Sequence, residues 1–253
     1  MSKFFLETKD LEAYLFDKTV LHRVNFSAER NKILSIIGPR GSGKSTLLRC
    51  LNGLFEEQPG HKLTGEIFFE GENILDKSYD RLSLRRSLSM VFARPTTFNH
   101  LSVFENVALG MRINHIQSGA EIGDMVEKSL RRLNLWSTLK DQLHKTPEKL
   151  SAGHRQLICL ARSLALRPTA ILMDEPTGVI GLKATMQFEQ YLREIADKVS
   201  IIMTTSSRKQ AARISDRTAF LLDGELIEIG KTSDLFMNPK DTRTEDFLTG
   251  RFG

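Results

Sequence analysis

The chain has only two cysteines. It also has no apolar run near the ~18–20 residues that a membrane-spanning helix needs. Any membrane role must therefore be borrowed from a partner. The opening Met1-Ser2-Lys3-Phe4-Phe5-Leu6-Glu7 breaks into charge at once, which argues against a signal peptide. Cys50 and Cys159 each lie among apolar neighbours in a predicted helix. That is the setting of buried reduced thiols rather than of a disulfide or a metal site. The six histidines show no metal-ligand spacing. There is no internal repeat and no low-complexity segment. A basic tract is missing too. The formal net charge is +5, but Arg85-Arg86 and Arg131-Arg132 are pairs, so a solvated surface accounts for them and no nucleic-acid partner is expected. Together these absences suit a reducing cytoplasm.

What is present is an ordinary globular composition over 253 residues, 40% hydrophobic and 26% charged. That length holds one α/β domain, with room for a smaller subdomain. The most informative stretch is Gly38-Pro39-Arg40-Gly41-Ser42-Gly43-Lys44-Ser45-Thr46, which fits the phosphate-binding loop pattern. Ile33 to Ile37 before it reads as a buried strand, and Leu47, Leu48 and Leu51 after it fall at helical spacing. The glycines let backbone N–H groups turn inward around a phosphate chain, and the helix dipole points at the same anion. Lys44 reaches the terminal phosphates, and the Ser45 hydroxyl suits Mg²⁺.

Strands are predicted at Phe4 to Leu11, Thr19 to Phe26 (after an Asp17-Lys18 turn), Glu66 to Glu70, Leu88 to Phe92, Ala170 to Met173, Val199 to Thr204 and Arg217 to Leu222. A Gln58-Pro59-Gly60 loop precedes the third. Helices are predicted at Leu82 to Arg86, Ser151 to Leu166 and Ala184 to Ala196. Asp223-Gly224 reads as a hairpin turn leading into Glu225-Leu226-Ile227. Residues 95–146 carry helical periodicity and no clear strand. The expected division is an α/β core at 1–94 and 147–253 with a helical subdomain at 95–146, all within a single domain of 1–253. The fold class is α/β: a mostly parallel sheet covered on both faces and an N-terminal antiparallel region.

Ile171-Leu172-Met173 is an apolar strand running into Asp174 and Glu175. Asp174 suits Mg²⁺, and Glu175 the role of general base or water-polarising group. Ser151 caps a helix that continues Ala152-Gly153-His154, an N-terminus able to meet an anion. The P-loop, the helical insertion, the Leu150-Ser151-Ala152-Gly153-His154 element and Leu172-Met173-Asp174-Glu175-Pro176-Thr177 together resemble the ATP-binding-cassette family over essentially the whole chain. A narrower likeness, to the ATP-binding subunits of bacterial phosphate importers, rests on Thr97-Phe98, on residues 102–108 and 211–220, and on the C-terminus from Thr244 to Gly253.

The resemblance implies a P-loop NTPase core binding ATP and Mg²⁺. It implies a dimer, with itself or a paralogous cassette, in which Ser151, Ala152, Gly153 and His154 serve the neighbour's γ-phosphate. It also implies membrane permease subunits as partners, at the cytoplasmic face of the cell membrane. Several positions depart from the family pattern. Ala93 stands where the family has the Gln that contacts Mg²⁺. Ala152 and His154 replace a Gly and a Gln. Gly181 replaces the Asp of the dimer interface, and Ser206 replaces the switch His. Tyr14 is the aromatic candidate for stacking on adenine, although the matching position falls on Leu15; a plain strand residue is the other reading. An importer ATPase subunit and a nucleotide-binding regulatory partner with little hydrolysis of its own are the two functions carried forward.

Overall fold

The computed structural model describes residues 3–115 and 118–251. Met1, Ser2, Phe252 and Gly253, which enter the sequence reading at the two ends, lie outside the described residues. Short 3₁₀ turns aside, the first elements are β1 (Phe4–Leu15), β2 (Lys18–Glu29), β3 (Ile33–Ile37), α1 (Lys44–Leu51), β4 (His61–Phe69), β5 (Glu72–Asn73), α2 (Arg81–Ser87) and β6 (Leu88–Val91). Then come α3 (Val103–Ile113), α4 (Gly119–Arg132), α5 (Trp136–Leu139), α6 (Ala152–Ala165), β7 (Ala170–Asp174), α7 (Leu182–Ala196) and β8 (Ser200–Thr205). The chain closes with α8 (Arg208–Ile214), β9 (Arg217–Leu222), β10 (Glu225–Lys231), α9 (Thr232–Met237) and α10 (Thr242–Thr249).

Two sheets result. The larger runs β10-β9-β3-β8-β7-β6. Its strands from β9 to β6 are parallel, and β10 returns antiparallel to β9. The smaller is antiparallel, in the order β2-β1-β4-β5. Strand side chains alternate between faces, so apolar runs such as Ile33 to Ile37 feed two cores. Ile33, Ile171, Met173, Ile201 and Met203 join Val107, Leu130, Ile158 and Phe188 from α3, α4, α6 and α7. Leu34, Ile36, Leu172, Ile202 and Leu221 face the other way, onto Leu47 and Leu51 of α1 and Phe5, Leu21 and Ile67 of the smaller sheet. One face is therefore covered by helices, and the other partly by a second sheet.

Some element ends differ from the expected ones. β1 continues past Leu11 to Leu15, because a register shift between Thr8 and Leu11, with Asp10 at φ 46°, breaks the alternation without ending the pairing. The turn after it is Phe16-Asp17, and Lys18 already belongs to β2. The strand expected at Glu66 begins at His61, where β4 pairs with the extended end of β1. α7 starts at Leu182 rather than Ala184. β5, α8, α9 and α10 have no counterpart in the sequence reading. Asp223 and Gly224 both take positive φ, 48° and 83°, as the expected hairpin turn requires. Between β6 and α6 the described residues form helices and no strand.

Candidate active site

The phosphate-binding loop leaves β3, the strand between β8 and β9, and α1 begins at Lys44. Close packing dictates its glycines. A Cβ on Gly38 would lie 2.0 Å from the Leu221 carbonyl oxygen. One on Gly43, at φ 100°, would lie 2.9 Å from Leu21 Cδ2. Gly41, at φ 81°, faces open space and forms the lip with exposed Arg40. Pro39 is half-buried behind them. Ser42 Oγ is buried with no hydrogen-bond partner, an orphan that an anion in the loop would satisfy. Lys44 is 5% exposed, and its Nζ donates to the carbonyls of Gly38 and Pro39, each at 2.7 Å. Burial holds its pKa below the ordinary lysine value, against the opposing pull of Glu175 and Asp174.

Ser45 and Asp174 meet across the gap between α1 and β7. Ser45 Oγ donates to Asp174 Oδ1 at 2.8 Å, and Thr204 Oγ1 donates to the same oxygen at 2.8 Å. Hydroxyl and carboxylate oxygens are the hard donors that Mg²⁺ prefers, so these residues fit the ion. Glu175 follows at φ 41°, a left-handed conformation that a non-glycine residue adopts at a cost. Its N–H donates to Thr204 Oγ1 at 3.0 Å. Thr204 thus braces both acidic residues. It is missed by sequence reasoning because only the register Asp174↔Thr204 brings it there. Gln210 is missed because it sits on α8, outside both motifs: buried, it donates to Thr177 Oγ1 and accepts from Thr205 Oγ1 at 2.7 Å. Gly224 is a third. Its N–H donates to Ser42 O at 3.0 Å, and a Cβ there would strike Val20 O at 2.4 Å, so the hairpin turn wedges the loop against β2.

The departing positions fall into two groups. Ser206 is exposed, and its hydroxyl donates to Glu175 Oε2 at 3.4 Å. Ala93, half-buried after β6, brings no polar side chain. Gly181 lies instead with the Ser151 element. Ser151, Gly153, His154 and Gly181 line one cavity of about 540 Å³. Ser151 Oγ caps α6 by accepting from the His154 N–H at 3.2 Å. Ala152 is the first residue of α6, where a helical backbone accepts alanine. Gly153 is buried, and a Cβ there would lie 2.8 Å from Ala184 Cβ. Thr46 continues α1, half-buried.

Tyr14 is engaged within its own sheet. Its hydroxyl donates to Glu12 Oε2 at 2.7 Å, and Lys62 Nζ sits 5.4 Å from its ring centroid. The exposed aromatic of this hairpin is Phe16, 73% exposed and at φ 52°. Its turn position hides it from any periodicity.

A family model described as "ABC transporter" matches residues 21–178. The chain is 42% identical over 253 residues, 100% of both chains, to a protein of Streptococcus agalactiae serotype III named phosphate import ATP-binding protein PstB 1. It is 43% identical over 251 residues to the phosphate import ATP-binding protein PstB of Bacillus cereus, covering 99% of this chain and 92% of that one. Among solved structures, cbiO1 from Clostridium perfringens has the same fold, with TM-score 0.83 at 24% identity over 99% of this chain and 97% of that one. The phosphate loop, the braced acidic pair and these full-length matches agree: the chain belongs to the ABC transporter family, as one of its ATP-binding ATPase chains.

Proposed function

We propose that this chain is the ATP-binding subunit of a phosphate importer, holding ATP with Mg²⁺ and coupling its hydrolysis to membrane permease subunits. The observation that carries this reading is the meeting of Ser45, Asp174 and Thr204 beside a loop whose buried Ser42 hydroxyl lacks a partner. The full-length likeness to proteins named for phosphate import supports the solute. Gly38 to Thr46 cradle the phosphates. Ser45 and Asp174 would hold the ion, which would supply charge neutralisation at the phosphates. Glu175 polarises water. Ser151, Ala152, Gly153 and His154 act across a dimer, made with a second copy or a paralogous cassette. Val179, Leu182 and Met186, exposed around Gly181, support a contact on that side. Residues 95–146 form the helical subdomain. No helix among the described residues is long and apolar enough to cross a membrane. In this reading the chain attaches peripherally, through its permease, at the cytoplasmic face. Phe16 takes the adenine-stacking role in place of Tyr14; it lies four residues before Val20, whose carbonyl packs at Gly43.

The direct test is phosphate-dependent ATP turnover by the chain with its permease in proteoliposomes. Turnover no higher than that of Lys44→Ala would refute the importer reading.

One observation favours a second reading, a nucleotide-binding partner with little hydrolysis of its own. The group facing Glu175 is the small Ser206 hydroxyl, and no imidazole stands there. Losing one contact to a reacting phosphate costs on the order of 10²–10³ in rate. If this reading holds, the triple change Ala93→Gln, Gly181→Asp and Ser206→His raises turnover strongly. Equal rates before and after would exclude it.

A further inference from the structure

A basic cleft lies away from the ATP site. It holds about 670 Å³ between α4, the end of α6, and the segments leading into β7 and β8. Its rim carries Lys128, Arg131, Arg132, Arg167 and Lys198, and no acidic residue lines it. Arg131 is already engaged, paired with Glu127 at 2.6 Å and set over the Trp136 ring. The other four cations enter none of the ion pairs among the described residues. Like charges gathered without counter-charge repel one another, and a polyanion relieves the repulsion. Arg167 is held there in a left-handed conformation, φ 50°, just past the end of α6, where glycine is the residue at no cost. Beneath the rim the floor is apolar, made by Met125, Leu164 and Val199, all buried. The volume is that of a small-molecule site.

The position separates it from ATP. Pro168 and Val199 precede β7 and β8, whose far ends carry Asp174 and Thr204. A five-residue strand spans roughly 17 Å at the usual rise per residue.

We propose that this cleft binds a small organic anion carrying two or more phosphate groups, at the opposite end of the strands from the ATP site. Two guanidiniums offer forked donors to phosphate oxygens, two ammoniums offer point charges, and the apolar floor takes the uncharged body. The test is isothermal titration of the whole chain with tripolyphosphate in metal-free buffer, in a Lys44→Ala background that weakens the competing phosphate loop. Saturable binding is expected, reduced by about tenfold or more when Arg132→Glu and Lys198→Glu are added. Arg167→Gly, which removes a cation while easing its backbone, should weaken binding as well. Thermal melting checks that each variant is folded. Absence of binding in the Lys44→Ala background, or an affinity indifferent to these three substitutions, would overturn the proposal. A parallel arm uses vesicles containing phosphatidylglycerol. Cleft-dependent vesicle binding with no tripolyphosphate binding would assign the cleft to a membrane surface instead and overturn the small-molecule reading.

Discussion

At the scale of single residues, the site depends on groups that differ in how replaceable they are. Gly38 cannot carry a side chain, because the Leu221 carbonyl occupies the place of its Cβ. Lys44 folds back on the Gly38 and Pro39 carbonyls, so its buried ammonium is already satisfied within the loop. Thr204 has one hydroxyl serving two acidic residues. Thr204→Val keeps the shape and removes that hydroxyl. It should lower unfolding free energy by about 1–3 kcal/mol, the cost of leaving buried polar partners unmade, and weaken Mg²⁺-dependent nucleotide binding. Chemical denaturation and nucleotide titration of the same variant check both. For adenine, Phe16→Ala should lower MgATP affinity by about fivefold or more, in line with stacking worth ~1–3 kcal/mol per base, while Tyr14→Phe should leave it nearly unchanged. The reverse order would return the role to Tyr14. The P-loop, Asp174 and Glu175 were legible because each is a local pattern on a strand end. Thr204, Gln210 and Gly224 were not, because sheet register, the placement of α8 and hairpin closure bring them in from distant parts of the chain.

Among the elements, short contacts decide how the site is held. Asn106, buried in the first turns of α3, donates to the carbonyls of Phe98, Leu101 and Ser102 and accepts from the Phe98 N–H and from Arg162. Asn106→Ala would strand several backbone groups and should destabilise the fold by about 2–4 kcal/mol, read as a lower denaturation midpoint. Gly224→Ala forces a Cβ against Val20 O at positive φ. It should cost about 1–3 kcal/mol and also reduce nucleotide affinity, since the same turn holds Ser42. The periodic elements were legible: the buried strands β3 and β7 and the amphipathic helix α6 are continuous patterns. The full length of β1 was not, because its irregular pairing around Asp10 shifts the alternation from one face to the other. The C-terminal helices are short. α10 is fixed by Phe247 stacking on Phe220, with ring centroids 4.8 Å apart, a tertiary contact that no local pattern announces.

Over the whole molecule, the larger sheet places the P-loop and the acidic pair at one end of its parallel strands, while the Ser151 element lines a separate cavity with Gly181. Both cysteines are free and buried, as their apolar neighbours suggested, and burial pushes the Cys50 thiol upward. The folded chain should resist iodoacetamide at neutral pH and take up label on unfolding. The fold was legible as a strand–helix alternation, and its second sheet as a set of N-terminal strands. How that sheet closes over α1 depends on long-range packing of Phe5, Leu21 and Ile67, which sequence spacing does not encode. The proposed function requires ATP to be held through a metal ion at Ser45 and Asp174. The most direct test is equilibrium ATP titration with Mg²⁺ and with a chelator, on the native chain and on Lys44→Ala. Saturable binding that weakens by at least about tenfold without Mg²⁺ and again in Lys44→Ala is the result expected from charge-assisted phosphate contacts. Binding indifferent to both, or none at millimolar ATP, would contradict it.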